Sequence, residues 1–131
     1  MITVLVDHNM EGQAALLWGT LAADGWLDLI PMHLVTFADV DLPATSDDRT
    51  VWRFAQTQRM ILLTDNRSTK GTNSLEQTLR QEVEPASLPV ITVGNVRRLN
   101  ERGYREACAE RLVEILLDLE AYLGISRLFI P

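Results

Sequence analysis

Hydrophobic and polar positions along the chain follow two alternating patterns. Short apolar runs, often β-branched, are typical of strands buried on both faces of a parallel sheet, and apolar residues three and four positions apart are typical of helices. The short runs predict strands at Ile2–Val6, Met32–Thr36, Met60–Thr64 and Pro89–Val93. The longer stretches predict helices at Met10–Ala23, Asp48–Arg59, Leu75–Val83 and Asn100–Leu123. The final segment, Leu128–Ile130, is either a short fifth edge strand or a packed tail.

Glycine and small polar residues mark where these elements begin and end. Ser46 or Asp47 can cap the helix that begins at Asp48, and Ser74 can cap the next one, because their side-chain oxygens accept from backbone N–H groups of the first turn. Gly124 is the residue at which we expect the last helix to stop.

Strands that alternate with helices predict an α/β fold. We expect a three-layer α/β/α sandwich with a central, mainly parallel sheet of four to five strands, right-handed crossovers, and helices on both faces. The length of 131 residues suits one domain covering residues 1–131. Ligand sites in such sheets lie beyond the carboxyl ends of the strands, which directs attention to the residues following each strand.

Composition and charge restrict the class of protein. The apolar fraction of 47% and charged fraction of 23% are those of a globular domain. A net charge of −6 argues against binding nucleic acid by charge alone, although a bound cation would reverse the local field. Cys108 is the only cysteine, so we expect a cytoplasmic protein, with Cys108 used for packing. No apolar run reaches the roughly 18 residues of a membrane helix, so we expect no membrane association.

Acidic residues stand where this topology places functional groups. Asp7 follows the first strand, Asp48 begins the second predicted helix, and Asp65 and Asn66 follow the third strand. Carboxylates gathered at one edge repel each other and usually persist because a hard cation such as Mg²⁺ or Mn²⁺ neutralises them. The chemistry that such a site serves best is phosphodiester hydrolysis. Taken singly, each residue is better explained as a turn former or a helix cap, and it is their combination that favours a site.

Three segments carry a resemblance to a known family. Val4–Asn9, Asp48–Ala55 and Met60–Arg67 resemble the PIN-like domain family, in its compact bacterial branch related to the nucleases of toxin–antitoxin pairs. The likeness extends from residue 2 to about residue 93 and depends on order and spacing. It implies a Mg²⁺- or Mn²⁺-dependent ribonuclease acting on single-stranded RNA, with a small antitoxin-like protein as a possible partner.

The resemblance also implies roles for individual residues. Asp7 would be the first metal ligand and Asp48 the second. The family has Thr, any residue, Asp, and another acid two positions on; here Thr64 and Asp65 are followed by Asn66 and Ser68. The candidate catalytic residues are Asp7, Asp48, Asp65 and Asn66, the metal ligands are Asp7, Asp48 and Asn66, and the substrate-binding residues are Asn9 and Arg67. The alternative is a PIN-like domain that does not cleave and acts as a binding or regulatory module.

Three further features have more than one interpretation. Arg67 either holds a phosphate through a forked contact or neutralises the carboxylates without a metal. The basic stretch with Arg97, Arg98, Arg102 and Arg105 either steers RNA or forms a solvated surface, and the interleaved glutamates favour the second. The apolar face of the last helix is compatible with a homodimer. A phosphoacceptor receiver domain is excluded because it needs an acidic pair after the first strand, where this chain has Asp7 and His8.

Overall fold

The computed structural model describes residues 1–68 and 70–131. Its strands are β1 (Ile2–Val6), β2 (Met32–Val35), β3 (Ile61–Thr64), β4 (Val90–Val93) and β5 (Arg127–Ile130). Its α-helices are α1 (Glu11–Ala23), α2 (Trp26–Leu29), α3 (Asp48–Thr57), α4 (Leu75–Glu82) and α5 (Arg102–Leu117). Short 3₁₀ turns lie at His8–Met10, Ala38–Val40, Val96–Asn100 and Leu119–Tyr122.

The five strands form one all-parallel sheet in the order β2-β1-β3-β4-β5. Helices α1 and α5 cover one face, packing on Val4, Val6 and Ile91, whereas α3 and α4 cover the other, packing on Leu5 and Leu62. The strands β1 to β4 therefore each supply buried residues to both faces, as continuous apolar runs predict. The three-layer α/β/α sandwich expected from the sequence is confirmed.

The strand order reverses direction at β1. The chain leaves β1 towards β2 and then returns across the sheet to β3 on the opposite side of β1. The crevice between the carboxyl ends of β1 and β3 is therefore the topological switch point, where open α/β sheets bind ligands. The residues that follow these two strands are Asp7 and Asp65.

The last crossover departs from the expected right-handed pattern. The connections through α4 and α5 both advance in the same direction along the sheet, yet α4 and α5 lie on opposite faces. These two crossovers must therefore have opposite hands. Without α5, only α1 among the longer helices would cover its face of the sheet, and the wide apolar side of α5 supplies the missing layer.

The last helix also ends earlier than expected, at Leu117 rather than Leu123. The backbone leaves the helical region at Asp118, which has φ −127° and ψ 38°, and a 3₁₀ turn follows. Gly124 ends no helix but occupies a turn with φ +82°, where a Cβ would lie 3.0 Å from the Pro85 carbonyl oxygen. The final segment is a strand, β5, which settles the alternative left open by the sequence.

The apolar face of α5 packs into the core. Its buried residues include Leu112, Val113 and Leu116, whereas Leu117 remains 60% exposed. The face on which a homodimer was considered is therefore used mostly to cover the sheet. In the part of the chain that the structure describes, the helices are too short or too polar to cross a membrane.

Candidate functional site

Three aspartates line one cleft of about 320 Å³ at the carboxyl edge of the sheet. Asp7 enters it from the end of β1, Asp48 from the first turn of α3, and Asp65 from the residue after β3. Asn9 and Asn66 also line this cleft. We call it the acidic cleft. It brings together every predicted site residue except Arg67.

Asp7 is held by donors from the two strands that flank the switch point. The Thr64 hydroxyl donates to Asp7 Oδ2 at 2.7 Å, and the Asn9 backbone N–H donates to Asp7 Oδ1 at 3.3 Å. Thr64 is 1% exposed, so its hydroxyl is fixed beneath the cleft. These two contacts fix the orientation of the Asp7 carboxylate at the edge of the cleft.

The two aspartates at the start of α3 have different tasks. Asp47 is the helix cap, because its carboxylate accepts from the Thr50 backbone N–H at 2.8 Å. Asp48 faces the cleft, where its Oδ2 accepts from Asn66 Nδ2 at 2.8 Å and from the Leu75 backbone N–H at 3.0 Å. The capping explanation therefore applies to Asp47 and leaves Asp48 available to the site.

Asn66 connects the parts of the cleft. Its backbone N–H donates to Thr64 Oγ1 at 3.0 Å, its side-chain N–H donates to Asp48, and its side-chain carbonyl accepts from the Ser68 backbone N–H at 2.9 Å. Both polar atoms of the side chain already have partners inside the protein. Asn66 thus acts as a positioning residue for Asp48, while its predicted role as a metal ligand depends on the second lone pair of its carbonyl oxygen.

Arg127 is a site residue that the sequence analysis missed. Its guanidinium reaches from the start of β5 to the Asn66 backbone carbonyl at 2.7 Å and the Thr92 hydroxyl at 2.8 Å, and it pairs with Glu76 at 3.4 Å. The side chain is 10% exposed, and burial lowers the pKa of the guanidinium from its ordinary value, although Glu76 and Asp48 act in the opposite direction. An arginine opening an otherwise apolar terminal run was the available sequence signal.

Asp65 carries the least compensated charge in the cleft. Burial raises the pKa of its carboxyl above the usual value, and the negative charge of Asp7 raises it further, while Arg67 opposes these effects weakly. Among the described residues, no other residue donates a hydrogen bond to this carboxylate. Two neighbouring carboxylates that raise each other's free energy form a site that a cation would stabilise.

The donor chemistry of the cleft fits a hard divalent cation. Every candidate ligand is an oxygen, from a carboxylate, an amide or a hydroxyl, as Mg²⁺ and Mn²⁺ prefer. Within residues 1–68 and 70–131, no group of three Asp, Glu, His or Cys side chains is close enough to form a complete metal site. Mg²⁺ commonly binds through one or two carboxylates and keeps its remaining waters, a mode that needs fewer protein ligands than such a group.

Arg67 lies outside the acidic cleft, in a second depression of about 290 Å³ that shares Asp65 as a wall. No ion pair joins Arg67 to a carboxylate within the described residues. The interpretation in which Arg67 neutralises the acids directly therefore has no contact to support it. The other interpretation, a contact to phosphate, stays a prediction.

The remaining candidate residues, which have charged or reactive side chains, have structural roles. Arg98 and Arg102 pair with Glu101 and Glu106 at the surface, as the mixed-charge interpretation predicts. Cys108 is fully buried, and burial raises the pKa of its thiol to about 11, which fits packing. His8 lies 3.1 Å from the Glu11 carboxylate, and its ring packs near that of Phe37, with 5.9 Å between the ring centres.

With this geometry established, the chain was compared with known proteins. It matches no protein-family model, no curated protein and no solved structure. The relationship to PIN-like domains therefore stays a prediction, and the function has to be argued from the cleft itself.

Proposed function

We propose that this domain is a PIN-like, Mg²⁺- or Mn²⁺-dependent ribonuclease of the cytoplasm that hydrolyses phosphodiester bonds of single-stranded RNA. The observation that supports it is the meeting of Asp7, Asp48 and Asp65 in one cleft at the topological switch point. Protein hydrogen bonds stabilise Asp7 and Asp48, but Asp65 has no donor from another described residue, and a bound cation would offset its repulsion with Asp7.

The residues divide into ligands and supports. Asp7 and Asp65 would hold the cation, and Asn66 fixes the Asp48 carboxylate on the α3 side of the cleft. When bound, such a cation supplies charge stabilisation for the phosphate and lowers the pKa of a coordinated water. Arg127 holds the Asn66 backbone in place from below.

The chain's own groups can orient the reactants. The Asp48 Oδ1 oxygen faces no donor among the described residues, so it can accept a proton from an attacking water as a general base. The exposed Asn9 side chain at the rim can donate to a phosphate or a ribose hydroxyl. The Thr64 hydroxyl orients the Asp7 carboxylate by donating to its Oδ2 at 2.7 Å.

The decisive experiment is cleavage of a mixed single-stranded RNA pool with Mg²⁺ or Mn²⁺. We expect cleavage by the wild type, loss of at least 100-fold in Asp7→Asn, and no change in Asp28→Asn, an exposed aspartate distant in sequence from the cleft. The melting temperature of the wild type should also rise with the cation. A wild type that cuts nothing and shows no cation-dependent melting shift refutes the proposal.

A second candidate function is supported by the environment of Asn66. Where the resemblance expects an acid, the amide holds Asp48 without adding charge, which suits a PIN-like module that binds RNA but does not cleave it. Binding of intact RNA, together with an absence of cleavage in either cation, would favour this module. A small, co-encoded antitoxin-like protein that suppresses cleavage would instead favour the toxin-like ribonuclease.

A further inference from the structure

Most cationic side chains of this chain have a partner within the described part of the protein, but a few do not. Of its twelve Lys and Arg residues, all but Arg67, Lys70 and Arg97 make an ion pair or a hydrogen bond among the described residues. In a protein with a net charge of −6, a cation without a partner is the exception to be explained. Ordinary surface arginines in this chain find glutamates three or four residues away.

Two of these three cations share one depression. Arg67 follows β3 and Arg97 follows β4, so the parallel sheet brings both to its carboxyl edge although they are 30 positions apart in the sequence. Asn95 and Gly94 line the depression between them. We call it the arginine groove. The order of the parallel strands brings its two arginines together, although they are not neighbours in the sequence.

The arginine groove is continuous with the acidic cleft. Asp65 lines both, with the carboxylates of the cleft on one side and the two guanidinium groups on the other. A polyanion lying along this edge would meet the cation site and then two fixed positive charges. Negative charge in the cleft alone would repel such a chain, so the arginine groove supplies attraction that the cleft lacks.

We infer that the arginine groove is a phosphate-binding subsite that holds the RNA backbone beside the acidic cleft, through Arg67 and Arg97. The guanidinium fork matches a phosphate, and neither side chain has to release a protein partner to make the contact. Gly94 leaves the wall of the groove without a side chain, and a Cβ there would lie 3.8 Å from Tyr104 Oη and 4.0 Å from the Ile130 carbonyl oxygen. The identity of the ligand as RNA rests on the proposed function, whereas the contact to phosphate does not.

The test is binding of a fluorescent ten-nucleotide RNA in Ca²⁺, followed by anisotropy at several salt concentrations. We expect Arg67→Gln and Arg97→Gln each to lower the slope of log affinity against log salt by about 0.7, which is about 5-fold weaker binding at 0.1 M salt. The loss should be the same for all sequences, since the backbone is contacted. Arg102→Gln is the matched control, because it removes the same charge from a side chain that is 81% exposed and paired with Glu106.

A second RNA, with a single neutral methylphosphonate linkage, identifies the contact itself. At one position the neutral linkage should weaken binding by the wild type but add nothing to the loss in Arg67→Gln/Arg97→Gln, as expected when both changes remove one interaction. Arginine variants that bind like Arg102→Gln, or RNA that does not bind at all, would overturn the inference. If binding depends on both arginines but no RNA is cleaved, the ribonuclease proposal fails while the phosphate subsite stands.

Discussion

A single substitution at Asn66 tests directly whether the cleft concentrates negative charge. Asn66→Asp replaces an amide that donates to Asp48 at 2.8 Å with a second carboxylate. The lost hydrogen bond to a charged group costs about 1.5–3 kcal/mol. Two unit charges about 4 Å apart would add at most about 4 kcal/mol at an effective dielectric of about 20, and the half-exposed position reduces this repulsion.

We therefore expect Asn66→Asp to destabilise the cation-free protein by about 3 kcal/mol at pH 8. With an unfolding entropy of about 2.1 cal/mol/K per residue over 131 residues, this corresponds to a fall of about 10 °C in melting temperature. The added carboxylate should also tighten binding of Mg²⁺. At a Mg²⁺ concentration about 100 times the dissociation constant, binding stabilises the folded variant by about 2.7 kcal/mol, which nearly restores the melting temperature of the cation-free wild type.

The assay is thermal unfolding of the purified domain, followed by circular dichroism, with and without Mg²⁺. Asn66→Ala removes the amide without adding charge, so Mg²⁺ should raise its melting temperature by less than it raises that of Asn66→Asp. Asn73→Asp is the matched charge control, because Asn73 Oδ1 already accepts from Arg49, and a carboxylate there should be tolerated. If Asn66→Asp melts like Asn66→Ala in both conditions, the cleft does not concentrate negative charge and the reasoning fails.

Two further predictions concern charges that hold the site in place. Arg127→Met should lower the free energy of unfolding by about 2–4 kcal/mol in urea titrations, because it leaves buried acceptors without a donor. Arg111→Met, at the surface, should lower it by less than about 1 kcal/mol. Equal losses in the two variants would contradict the buried role of Arg127. Arg53 and Arg49 lower the pKa of the Glu82 carboxyl below its usual value of 4.5, so the folded state holds the proton less tightly than the unfolded state. The resulting stabilisation is present above about pH 4.5 and is lost as pH falls through the lowered pKa. Glu82→Gln should remove this part of the pH dependence, and an unchanged profile would refute it.

The strands and the main helices could be predicted because their signals are local. The buried runs at β1, β3 and β4 and the apolar spacing in α1, α3 and α4 need no knowledge of distant residues. β5 remained open because its apolar run is short and its pairing with β4 depends on the whole fold. The early end of α5 was missed because Leu119 and Leu123 extend the apolar pattern beyond the point where the backbone leaves the helix.

The candidate site was predictable in part for the same reason. Asp7 and Asp65 follow strands, and the switch-point rule places them together once the strand order is assumed. It was not predictable that Asp47 caps α3 while Asp48 faces the cleft, since either can cap a helix. The contact from Arg127 to Asn66 joins residues 61 positions apart, and nothing in the local sequence of either residue indicates it.

The environments of the aspartates indicate where a cation is needed. Asp48 accepts N–H donors from Asn66 and Leu75, so part of its charge is satisfied by the protein itself. Asp65 has no such donor from another residue in the described part of the chain, and the charge of Asp7 raises the pKa of its carboxyl. The demand for positive charge is therefore greatest between Asp7 and Asp65, which follow the two strands of the switch point. A ligand that binds there also meets the arginine groove through Asp65, so cation binding and phosphate binding should strengthen each other.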